Sequence, residues 1–206
     1  MANLPLNLVK SLYYKKGLST IDISKRLKVT PWVVIKFMEK MNLPRRTFRE
    51  ANEKRFERKP ISFSLKQYLS LAEKELKIAG TMLYWTEGGK ANPKSRLWTV
   101  DFANSNPKMI KLFLKFLREI CGVDEKRLRI YLYCYADQNA NVLRKYWRKL
   151  TNIPLAQFTK PYIRKDFLPE KSGKMKYGLV HIRYCDKKLL LQIQKWIAEY
   201  LQKHKI

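Results

Sequence analysis

The chain has 206 residues, 46% of them hydrophobic, and its 44 Lys and Arg against 17 Asp and Glu leave a formal net charge of +27. That excess is more typical of proteins that neutralise phosphates than of cytosolic metabolic enzymes, so a polyanion is the expected partner. The basic residues are spread along the whole chain, no apolar run approaches the ~20 residues of a membrane span, and the N-terminus lacks the basic start and apolar core of a signal peptide; no membrane partner and a cytoplasmic location are expected.

The length suits one domain of usual size plus a small module, and the pattern divides into 1–50, a charged linker over 51–64, and 65–206. The first unit opens on an apolar helix with Leu6, Leu8, Val9, Leu12 and Tyr13, turns at Gly17, and continues as a short helix with Ile23 and Leu27 inward. After Lys28-Val29, Thr30 can cap a third helix and Pro31 fits its first position, with Val34, Phe37 and Met38 inward. This trihelical pattern resembles a helix-turn-helix of the resolvase or winged-regulator kind. The resemblance implies that Thr30, Trp32, Val33 and Lys36 face a major groove, and that Arg45 and Arg46, with Arg49 beyond, form a basic arm along phosphates or into the minor groove. Trp32 suits a contact to the second domain equally well, and a plain packing module with a solvated basic face is the alternative. The run 51–64 is charged and without apolar periodicity, which reads as a solvated linker.

In the second unit, 78–90 reads Ile-Ala-Gly-Thr-Met-Leu-Tyr-Trp-Thr-Glu-Gly-Gly-Lys, an apolar helix running into one carboxylate and two glycines. Glycine at positive φ would turn the chain sharply after Glu87 and leave the acid exposed at the negative end of the helix dipole. A carboxylate there is unfavourable by a few tenths of a kcal/mol unless a cation compensates, a placement that suits metal binding. The bland alternative is a buried amphipathic helix with an ordinary Glu-Gly-Gly cap. A strand over 96–103, a helix over 108–121, a strand over 128–135 and a helix over 139–150 follow. A strand pair, 158–165 with 177–184, joined by a Lys/Gly-rich loop, and a closing helix over 188–202 complete an α+β order.

Cys121, Cys134 and Cys185 are far apart without a C-x-x-C pair, so reduced thiols and no structural zinc are expected. The two histidines, His181 and His204, are too few for an HNH-type nuclease or a phosphodiesterase metal cluster. Carboxylates and lysines are left to carry any chemistry.

The stretch 78–90 and the element order after it resemble the LAGLIDADG homing endonucleases. Glu87-Gly88 stands for the family's terminal Asp-Gly and Ile78-Ala79-Gly80 for its opening Leu-Ala-Gly, two residues early, while Met82 falls at the mid-helix Gly position. The resemblance implies a half-fold of an antiparallel sheet with helices on one face, its open face lying along double-stranded DNA. Arg96, Arg129, Tyr131, Tyr133, Lys160, Tyr162, Arg164, His181 and Arg183 are the outward candidates. It further implies Mg²⁺ or Mn²⁺ on Glu87, Lys90 and Lys94 offsetting developing charge, and no small-molecule cofactor. One motif per chain implies a homodimer through Ala79, Gly80 and Thr81 that cuts both strands site-specifically. The alternatives are a catalytically silent transcription regulator on the same scaffold and a DNA recombinase subunit or accessory factor.

Overall fold

A computed structural model describes residues 4–89, 98–164 and 175–205. It divides into two units, Met1–Pro60 and Ile61–Ile206.

The first unit is helical. Helix α1 (Leu6–Lys10) runs on as a π-helical turn, Ser11–Lys15, and is followed by α2 (Thr20–Leu27), α3 (Pro31–Lys40) and α4 (Phe48–Arg58). Val9, Leu12, Ile23, Val34, Phe37 and Met38 form the core, the positions that helical spacing assigns inward. Ser19 and Asp22 cap α2 reciprocally, whereas Thr30 makes no side-chain cap bond, so α3 starts on Pro31 alone. Most of the run expected as a linker is instead helix α4. Thr47 and Glu50 form its capping box, Arg49–Glu53 and Lys54–Glu57 pair along it, and Arg58 reaches Asp22 at 2.8 Å. Caps and charge pairs at three- and four-residue spacing make this helix, so apolar periodicity could not announce it.

The second unit is α+β. Its elements are α5 (Leu71–Glu87), β1 (Val100–Asn104), α6 (Pro107–Lys115) with a π-helical extension Phe116–Ile120, β2 (Leu128–Tyr135), α7 (Ala140–Thr151), β3 (Tyr162–Arg164), β4 (Leu179–Tyr184) and α8 (Lys187–Lys203). The strands lie in the order β1-β4-β2-β3. Two of the three pairings are antiparallel, but β3 runs parallel to β2, so the sheet is mixed rather than antiparallel throughout. Parallel neighbours need a crossover, which α7 supplies. The expected pairing of 158–165 with 177–184 does not form. Burial explains why: Val180, Ile182 and Tyr184 are fully buried and place β4 centrally, whereas all of β3 is exposed, as befits an edge. Inward residues of the strands meet Leu76 and Tyr84 of α5, Ile110 and Phe113 of α6, Trp147 of α7 and Leu189 and Ile193 of α8. No helix among the described residues is long and apolar enough to cross a membrane.

Candidate functional site

Helix α5 is positioned by its own small residues. Gly80 is buried with Phe116 directly above it, so close that a Cβ would lie 2.5 Å from two ring-side carbons. Thr81 is 3% exposed, and its hydroxyl has no hydrogen-bond partner among the described residues. Gly80 and Thr81, expected at a contact between two copies, thus serve the chain's own core; of the three residues only Ala79 is partly exposed. The outward face of α5 carries Leu71, Ile78, Met82 and Trp85 at helical spacing instead.

Glu87 is the last residue of α5 and exposed, and its carboxylate makes neither an ion pair nor a hydrogen bond among the described residues. Among the described residues the other seven α-helices each carry Lys or Arg in the last turn; α5 carries none and ends on the acid. The glycines after it do not take positive φ. Gly88 is extended at φ −77°, and its missing Cβ leaves room for the Tyr84 ring, whose Cδ2 would be 2.6 Å from one. The chain therefore runs straight from α5 to the sheet edge, where Gly88 bridges Phe102 and the Gly89 N–H donates to the Asp101 carbonyl at 2.7 Å. Burial pushes the Tyr84 phenol up to about 12, so it stays a donor, bonding the Gly89 carbonyl at 2.9 Å.

The outward sheet face is ordered by register. Asp101, Arg183 and Arg129 share one row, Ala103, His181 and Tyr131 the next, then Leu179, Tyr133 and Tyr162, and finally Tyr135 with Arg164. Asp101 organises the first two rows: the Arg183 Nε donates to one carboxylate oxygen at 2.6 Å and His181 Nδ1 lies 2.8 Å from the other. Since the carboxylate only accepts, Nδ1 carries the proton there and Nε2 is turned away from Asp101. The Arg183 guanidinium also sits 4.1 Å from the Tyr131 ring centre, and Tyr133 packs on His181 at 4.8 Å. Arg129 is exposed, with Nη1 donating to the Lys126 and Leu128 carbonyls at 2.7 Å each. Lys160 is exposed outside β3.

In the first unit, Thr30, Trp32 and Lys36 are exposed on or beside α3, with Trp32 60% exposed and Lys36 paired to Glu39 at 2.9 Å. Arg45 is exposed, but Arg46 is not an arm. Its guanidinium donates to the carbonyls of Tyr13, Gly17 and Leu18 at 2.7–3.0 Å and lies 3.9 Å from the Tyr13 ring centre, which clamps the turn before α2.

The structure thus brings Arg129, Tyr131, Tyr133, Arg164 and Arg183 onto one face, withdraws Arg46, Gly80 and Thr81 into packing roles, and leaves Lys90, Lys94 and Arg96 outside the described residues. Sequence reasoning missed Asp101. The signal was a lone acid at an outward position of a strand in a strongly basic chain, which needs cationic neighbours to sit there. Among the described residues no three His, Cys, Asp or Glu side chains converge as a metal-binding group. Comparison with protein-family models, characterised proteins and solved structures finds no match to this chain.

Proposed function

We propose that the chain is a DNA-binding, metal-dependent site-specific endonuclease of the LAGLIDADG homing type, cutting duplex DNA as a homodimer. The observation that carries this reading is the end of α5: in a chain with a net charge of +27 its last turn holds no Lys or Arg and ends on an exposed carboxylate, beside a sheet edge. The helix dipole makes Glu87 unfavourable where it stands, so a bound cation would relieve it. A hard divalent ion takes oxygen ligands, and Glu87 offers one carboxylate per chain; phosphate oxygens and Glu87 of the partner subunit would complete the set. Mg²⁺ held there supplies Lewis-acid polarisation of a phosphate and a lowered water pKa.

The outward sheet face would hold the duplex, with Arg183, Arg129 and Arg164 meeting phosphates or guanine edges and the tyrosines giving rigid contacts. The left-handed turn at Lys28 between α2 and α3, with Trp32 and Lys36 outward, supports a helix-turn-helix as a second DNA contact. A second copy would meet α5 through Leu71, Ile78, Ala79, Met82 and Trp85, which remain at least partly exposed.

The test is cleavage of a randomised supercoiled plasmid library with Mg²⁺ or Mn²⁺. Discrete staggered ends made by wild type and not by Glu87→Gln support the nuclease. The second reading, a silent regulator on the same scaffold, is favoured by the use of Gly80 against Phe116, which spends the motif's small residue inside the chain. Intact plasmid with salt-sensitive retention would select it.

A further inference from the structure

At one end of the sheet the outward face becomes concave. Among the described residues, Tyr133, Tyr135, Tyr162, Arg164, Met175 and Leu179, with Cys134 between the tyrosines, line a cleft of about 320 Å³. The parallel pairing of β2 and β3 builds it, because Tyr133 lies opposite Tyr162 and Tyr135 opposite Arg164. The Tyr133 and Tyr162 rings are in tilted contact, their centres 5.3 Å apart with planes at 45°, and Tyr133 also packs on His181. Tyr162 is 59% exposed and its neighbour Ile163 48%, on a strand of three residues that contributes nothing to the buried core.

The volume is at the small end of ligand sites, enough for one flat ring system and not for a dinucleotide cofactor. An exposed aromatic ring such as Tyr162 in a cleft that also holds a guanidinium suits the face of a base together with its phosphate. In a duplex those faces are covered by neighbouring base pairs and only edges reach the grooves, so a fully paired site has nothing to place in such a cleft. The net charge of +27 makes a nucleic acid the complementary partner.

We propose that this cleft stacks one unpaired nucleobase, so that the chain prefers DNA in which a single nucleotide is unpaired within or beside a duplex. The inference rests on the DNA-binding reading above and adds the form of DNA preferred.

The test uses the full chain, anisotropy titrations and two labelled DNAs that differ only in whether one central nucleotide, 2-aminopurine, is paired. The expected result is about ten-fold tighter binding of the unpaired form by wild type, with quenching of 2-aminopurine as it stacks. Tyr162→Ala, on an exposed edge strand, should weaken binding of the unpaired form far more than that of paired duplex, so that both the preference and the quenching are lost, while Tyr162→Phe keeps them. Equal binding of the two DNAs, or a preference indifferent to Tyr162→Ala, overturns the inference and leaves DNA binding standing. No salt-sensitive binding to either DNA overturns both.

Discussion

Replacing Gly80 by alanine tests whether the small residue of α5 serves this chain or a second copy. A Cβ at position 80 would lie 2.5 Å from the Cβ and Cδ2 of Phe116, and nearer still to Cγ. Comfortable carbon–carbon contact starts near about 3.5 Å, so the ring or the helix must retreat by roughly 1 Å or more. Phe116 has nowhere to go: it is fully buried, with Phe113 at 5.8 Å and Trp196 at 6.0 Å. Overpacking of this kind costs about 1–3 kcal/mol, and the severity of the clash puts Gly80→Ala at the upper end. Alanine's better helix propensity returns about 1 kcal/mol, leaving a net loss near 2 kcal/mol. For a unit of this size that is a fall of roughly 6 °C in Tm, read by calorimetry or far-ultraviolet circular dichroism. The shift should not depend on protein concentration, because the clash is within one chain, and Phe116→Leu should relieve part of it in a double-mutant cycle. A variant that melts at or above wild type would refute the close approach, and a shift that shrinks on dilution would return Gly80 to a contact between copies.

Thr81→Val removes a buried hydroxyl without a partner while keeping the branched shape, so stability should hold or rise by up to about 1 kcal/mol in urea titration; a clear loss would reveal a bond the hydroxyl makes. Arg46→Ala deletes charged bonds to three carbonyls and should cost the first unit about 2–4 kcal/mol, whereas Arg45→Ala should leave unfolding unchanged and lower the salt slope of DNA binding by about 1. The hydrogen bond from Arg58, helped by the Ser19 amide, holds Asp22 down to about 2 from its ordinary 3.8. Its contribution is therefore complete above about pH 4 and lost as pH falls towards 2. Both partners are about 40% exposed, so it is worth at most about 1 kcal/mol, and the stability gap between wild type and Asp22→Asn should narrow across that window.

Elements with a strong apolar period were legible in the sequence. Residues 128–135 form β2 with the expected alternation, and Val34, Phe37 and Met38 are buried where helical spacing puts them. What was not legible depended on partners distant in sequence. Helix α4 is held by caps and charge pairs, the parallel β3 by a crossover, and the fate of Gly80 by a phenylalanine from another helix. Arg46 shows the same limit from the side of function. A basic residue after Leu43-Pro44 looks like a free arm, yet its guanidinium makes three hydrogen bonds to carbonyls about the Gly17 turn, and no local pattern states that match.

Asp101 has the opposite effect on the sheet. One carboxylate lowers the face's positive charge by one unit but fixes Arg183 by a 2.6 Å bond and His181 by a 2.8 Å contact, and each of these then rests on a tyrosine of β2. Side chains already held in place lose little conformational freedom when a ligand arrives, so their contacts are cheap to make and strict in geometry. Trp32 and Arg45 stand exposed in the first unit with no side-chain hydrogen bond among the described residues, and on contact with DNA they would have to be ordered at that moment. If both units meet the same DNA, discrimination between sites belongs to the sheet, and the first unit contributes mainly salt-sensitive affinity.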